Sequence, residues 1–127
     1  MSGTIAEACP ALIQLSTGVG LEVPFEERER LVEARPRMAS LNPCSMSFGV
    51  GEFRNPPAGV RRLAARMQEL GIKPELEIYD TGHLDVCLQL VRPPTRLPQD
   101  LLRLSLRQRG HPQLRALLGR LRARLLE

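Results

Sequence analysis

Short apolar runs that stop at glycine- and serine-rich loops, then give way to helical patterns, recur about every 30 residues up to position 91. This alternation constrains the fold more than any other feature. Ala11 to Leu15 reads as a buried strand that enters a loop at Ser16-Thr17-Gly18. Pro24 opens a helix running to Glu33, with Glu26 and Glu27 in the first turn, where the helix dipole favours acids. Met38 to Leu41 is a second strand, followed by a polar loop from Asn42 to Gly49. Pro56-Pro57 starts a second helix whose apolar positions Val60, Leu63, Ala64, Met67 and Leu70 follow helical spacing, and Gly71 sits where a C-terminal cap belongs. Glu75 to Asp80 is a third strand, and Leu84 to Val91 a third helix. Three strand–helix pairs imply an α/β domain on a parallel sheet. Periodicity does not choose between a closed barrel and an open doubly wound sheet.

The rhythm stops at residue 92. Residues 1–90 hold nine basic and twelve acidic groups, whereas 91–127 hold nine arginines against only Asp100 and Glu127. The sequence therefore divides into a domain over 1–91 and an Arg/Leu/Pro-rich tail over 92–127. No strand candidate stands out in the tail. Asp100 reads as the cap of a helix containing Leu101, Leu102, Leu104 and Leu106, and Leu114, Leu117, Leu118, Leu121 and Leu125 form the stripe of a second amphipathic helix. Lys73 is the only lysine beside seventeen arginines, the signature of a GC-rich gene.

At 127 residues, with 43% hydrophobic but only 3% aromatic content, any core rests on aliphatic side chains. No apolar run is long enough to cross a membrane, and Met1 to Pro10 lacks the pattern of a secretory signal. Cys9, Cys44 and Cys87 are too scattered for a disulfide framework, which points to a reducing, cytoplasmic setting.

Three places invite chemistry. Ser16-Thr17-Gly18 lies at the carboxyl end of a strand, the end that faces the ligand crevice in α/β folds, and its hydroxyls and free backbone suit an anionic group. An ordinary βα turn has the same composition. Asn42, Ser45 and Ser47 follow the second strand and could add hydrogen bonds, although they also suit a plain turn. On the third strand Glu75 and Glu77 point to one side, opposite Leu76 and Ile78. Two carboxylates on a parallel strand mark either a polar cavity or a solvated edge. His83 at the strand end reads as a local hydrogen-bonding residue. His83 and His111 are 28 apart and offer no metal-ligand pair, and phosphate-loop, dinucleotide and nucleophile-elbow patterns are absent.

Taken together, several stretches resemble the β-keto acid cleavage enzyme family: Leu12 to Gly18, Glu26-Glu27-Arg28, Met38 to Asn42, Ser45 to Gly49 and, most strongly, Gly71 to Leu84. The resemblance runs over residues 9–91. It implies a zinc-dependent TIM (β/α)8 barrel, of which about three βα units are present, and an oligomeric enzyme that exchanges an acyl unit between a β-keto acid and acetyl-CoA, giving acetoacetate and a new acyl-CoA. It also implies that Ser16, Thr17, Gly18, Ser45, Ser47 and Glu75 hold substrate. One of Glu75 and Glu77, rather Glu77 at the strand's mouth, would be the catalytic carboxylate. Cys44 stands where the resemblance leads one to expect glycine. The histidine pair and late glutamate that would bind zinc find no counterpart in this sequence, so no residue is assigned to a metal.

Three accounts of the whole chain follow. It is a truncated or frame-disrupted member of the family, inactive alone; or an anion-binding interaction module with a basic tail; or half of a split enzyme. The scarcity of aromatics that stack bases argues against nucleic acid as the partner of the tail.

Overall fold

A computed structural model of the chain describes residues 5, 7–92, 103–106, 116, 119, 120 and 123. The first strand, β1, is only Gln14–Leu15. Leu12, expected inside the strand, is 57% exposed. Pro24, with φ −59°, precedes helix α1 (Phe25–Glu29), which tightens into a 3-10 turn over Arg30–Ala34 and ends at Arg35 in the left-handed region. Strand β2 (Met38–Leu41) is buried along its whole length.

The expected loop after β2 is in part a hairpin. β3 (Met46–Phe48) and β4 (Gly51–Phe53) pair antiparallel, with Gly49 at φ 63° in the two-residue turn between them. Glycine supplies that positive φ without strain, which permits so tight a turn. Helix α2 (Pro57–Glu69) matches its sequence pattern: Val60, Leu63, Ala64 and Met67 are buried, and Gly71 follows at φ 67°. The Ile72 amide donates to the Met67 carbonyl at 2.8 Å and closes the helix end. On the outer surface Arg62 pairs with Glu29 and Arg66 with Glu33, tying α2 to the first helical segment.

Strand β5 (Lys73–Ile78) leads into helix α3 (Thr81–Val91), which begins three residues earlier than the sequence pattern predicts. Asp80 explains the earlier start. Its carboxylate accepts from the Gly82 amide at 2.9 Å and caps the helix.

Arg103–Leu106 forms a further strand, β6, where leucine spacing predicts a helix. Arg-Leu-Ser-Leu also alternates with the period of two that a strand requires, and the open backbone edge of β5 takes up that alternative. The β/α rhythm thus extends past residue 91. Ala116, Gly119, Arg120 and Ala123 are helical; the rest of the expected tail helices lies outside the described residues.

The main sheet is parallel throughout, in the order β1-β2-β5-β6. Ala39, Leu41, Leu76 and Ile78 project from one face into a core completed by Phe25, Val32 and the apolar sides of α2 and α3. The other face is polar. Ser40 is in register with Glu75, and Asn42 and Glu77 follow two residues on. No helix among the described residues is long and apolar enough to cross a membrane.

Candidate functional site

The polar face ends in a cavity of about 210 Å³ at the carboxyl ends of the strands, where Ser16, Asn42, Glu77 and Tyr79 converge. Each arrives by the same logic: alternate residues along neighbouring parallel strands share a face, and the last of them reach the mouth. The apolar part of the wall comes from Leu21, Met46, Phe48 and Phe53, so the hairpin and the loop after β1 roof the site.

Glycine keeps the mouth open. A Cβ on Gly18 would lie 3.4 Å from the Phe53 ring, 3.7 Å from Ser16 Oγ and 3.8 Å from Asn42 Nδ2. The Gly18 amide donates to Ser16 Oγ at 3.2 Å and fixes that hydroxyl at the rim. Asn42 is 5% exposed, its Nδ2 lies toward the Gly18 gap, and its Oδ1 is buried without a partner among the described residues.

Glu77 is nine-tenths buried, and its Oε2 accepts from the Tyr79 phenol at 2.8 Å. Tyr79 is held in turn by its backbone amide, which donates to His83 Nδ1 at 3.1 Å. The two rings meet edge to face, with centroids 6.4 Å apart. Burial lowers the His83 pKa, against a smaller opposing pull from Asp80, and the neutral imidazole so favoured is the form that can accept from Tyr79. His83 is thus the local hydrogen-bonding residue expected from its place in the sequence.

The other expected contacts go elsewhere. Thr17 is buried against β2: its amide donates to Ser40 Oγ at 2.8 Å and its hydroxyl to the Ser40 carbonyl at 2.9 Å. It pins β1 to β2 rather than lining the cavity. Ser45 Oγ accepts from the Asn55 amide at 2.7 Å and faces a separate cavity beside Val60 and Leu90. Ser47 lies on the exposed hairpin opposite Glu52. Glu75 is a step further from the mouth, where it accepts from the Gln14 side-chain amide. Gly18 and Ser16 therefore join Glu77, while Thr17, Ser45, Ser47 and Glu75 do not reach it.

Arg28 is the residue whose role sequence reasoning missed most completely. It is 3% exposed, and its guanidinium lies 4.4 Å from the centre of the Phe53 ring and 5.2 Å from that of Phe25. It donates to the Thr17 carbonyl, to Asn55 Oδ1 at 3.1 Å and to the Arg54 carbonyl. The Ser-Thr-Gly loop and the segment after β4 are thereby tied together behind the cavity. Burial pushes the Arg28 pKa down, Glu26 partly opposing it.

The fit of a zinc ion can be judged from these partners. Glu77 gives one oxygen to Tyr79, and Nδ1 of His83 is taken by a backbone amide. Among the described residues no three His, Cys, Asp or Glu side chains come together as a metal-ligand group. Cys44 is no substitute, since burial and then Asp80 raise its pKa and favour the neutral thiol. The described residues by themselves do not fit the metal.

A parallel α/β domain with a carboxylate and strand-end donors around one cavity has the form of a small-molecule site rather than a macromolecular interface. Residues 1–105 match the β-keto acid cleavage enzyme family, and the chain belongs to that family. The match reaches into β6, beyond the boundary at residue 91 read from the sequence. Among curated relatives, the chain is 38% identical over 90 residues to the 3-keto-5-aminohexanoate cleavage enzyme of Acetoanaerobium sticklandii, covering 69% of this chain and 33% of that protein. It is 36% identical over 75 residues to the 3-dehydrocarnitine:acetyl-CoA trimethylamine transferase of Rhizobium meliloti, covering 58% and 25%. With the 3-oxoadipate:acetyl-CoA acetyltransferase of Cupriavidus necator the identity is 42% over 77 residues, covering 60% and 27%. The matched stretches span only a quarter to a third of these relatives' lengths.

Proposed function

We propose that this chain forms the substrate-holding arc of a β-keto acid cleavage enzyme, a (β/α)8 barrel that exchanges an acyl unit between a β-keto acid and acetyl-CoA. The products are acetoacetate and a new acyl-CoA. The observation that carries the reading is the convergence of Ser16, Asn42 and Glu77 from three adjacent parallel strands on one cavity, within the stretch matched to the family.

The chemistry assigned to these residues follows from their atoms. A β-keto acid presents carbonyl oxygens that need donors and an acidic C–H bond between its carbonyls. The Ser16 hydroxyl and Asn42 Nδ2 are placed at the rim as those donors. Glu77 Oε1 is the acceptor for the C–H proton, whose electron pair passes to the keto oxygen as an enolate. The buried Phe53 ring forms an apolar part of the cavity wall beside that charge. The cytoplasmic setting and the oligomer implied by the resemblance belong to the same proposal, the former in keeping with the free thiols at Cys9, Cys44 and Cys87.

Calorimetric titration of the purified chain with acetoacetate tests the reading. Saturable binding is expected, weakened about tenfold by Ser16→Ala or Asn42→Ala through loss of one hydrogen bond each. Arg66→Ala, on the far surface, is expected to leave it unchanged. Absence of saturable binding, or equal losses in all three variants, would overturn it.

A further inference from the structure

We infer that Tyr79 is a positioning residue for the pocket carboxylate: its phenol donates to Glu77 Oε2 and so sets how Glu77 presents its oxygens to a ligand. The inference rests on the functional reading above and concerns how its carboxylate is aimed. A glutamate has three rotatable side-chain bonds, and a buried carboxylate without donors is strongly disfavoured. At Glu77 a donor is supplied from two residues further along the same strand direction, on the same side, at 2.8 Å. The phenol itself has little freedom to wander. Its backbone amide is tied to His83 Nδ1, its ring stands edge-on to that imidazole, and Asp80 anchors the start of α3. Placement therefore passes from the helix start through His83 to Tyr79, and from the phenol to Glu77. One consequence is geometric: the phenol takes one of the acceptor sites on Oε2 and limits rotation of the carboxylate, leaving Oε1 to meet a ligand.

The sequence supplies the assay. Tyr79 is the only tyrosine and there is no tryptophan, so the near-ultraviolet phenolate absorbance reports this residue alone. In the wild-type chain Tyr79 is expected to ionise about one pH unit higher than in Glu77→Gln, because losing its proton beside Glu77 sets two negative charges together. Asp80 and His83 at the start of α3, and the Cys44 thiol after β2, also surround this turn but are common to both proteins, so the difference isolates Glu77. Tyr79→Phe keeps the ring and the packing while removing the donor. Weakening of acetoacetate binding by about tenfold is expected, with little further loss when Glu77→Gln is added, since the two residues act as one unit.

Equal phenol midpoints in wild type and Glu77→Gln would overturn the inference. So would losses of binding in Tyr79→Phe and Glu77→Gln that add in full. If wild-type protein fails to bind acetoacetate, the functional reading falls. The midpoint difference would still show the phenol–carboxylate pair, so the two failures are told apart.

Discussion

A buried guanidinium is strongly destabilising unless its donors meet acceptors, and Arg28 meets them from two segments, Thr17 on the loop after β1 and Arg54 and Asn55 after β4, while its Nε finds none among the described residues. Replacing it with methionine keeps much of the volume but leaves those acceptors unsatisfied. A loss of about 2 kcal/mol of unfolding free energy is expected for Arg28→Met. Urea denaturation with an unchanged midpoint would remove Arg28 as the brace behind the cavity. His83 makes the second residue-scale prediction. Its folded-state pKa is lowered by burial, so as pH falls below the ordinary histidine range the unfolded chain takes up a proton that the native chain resists. Stability is thus fully present above the ordinary value and declines as pH drops toward the folded value. His83→Asn should flatten that part of the profile; an unaltered slope in urea titrations across this range would sink the assignment. The role of Arg28 is not readable from sequence, whereas His83 reads there as a local hydrogen-bonding residue. Arg28 looks like one more surface charge on an amphipathic helix until β4 brings Phe53 and Asn55 against it. Glu77 is readable only in part: alternation sets both Glu75 and Glu77 opposite the core, and it is the family resemblance that favours Glu77, the one nearer the mouth.

The elements differ in how strongly local sequence specifies them. Helix α2 has proline at its start, helical apolar spacing and a glycine past its end, so propensity and packing agree. Its close approach to α1 adds a constraint that no pattern reveals. A Cβ on Gly59 would lie 2.6 Å from Phe25 Cε1, and that ring is buried beneath Arg28. Gly59→Ala is therefore expected to destabilise by about 1–3 kcal/mol, exceeding the helix-propensity gain of about 1 kcal/mol. A thermal midpoint at or above wild type would contradict this packing account. The β3–β4 hairpin and β6 were not anticipated, for different reasons. In the hairpin, polar loop residues mask two strands of only three residues each. In β6, leucines at 101, 102, 104 and 106 fit both periods, and the edge of β5 decides between them. The same hairpin explains why Ser45 and Ser47 miss the cavity: the chain turns away at Cys44, so that Met46 and Phe48, rather than the serines between and before them, border it.

At the scale of the molecule, the parallel sheet separates two chemistries, with helices and the aliphatic core on one face and the polar row from Gln14 to Glu77 on the other. β1, as the short outer strand, and the hairpin, as a two-stranded unit, hold few of the backbone bonds that must break in global unfolding. β2 is flanked on both sides, by β1 and β5, and no residue along it is exposed. In deuterium exchange the amides of Ala39 to Leu41, with those of Glu75 and Leu76 on β5, should accordingly be the last to be labelled, by opening of the whole domain. The Met46 to Phe53 hairpin should be labelled early, through local opening at the roof of the cavity.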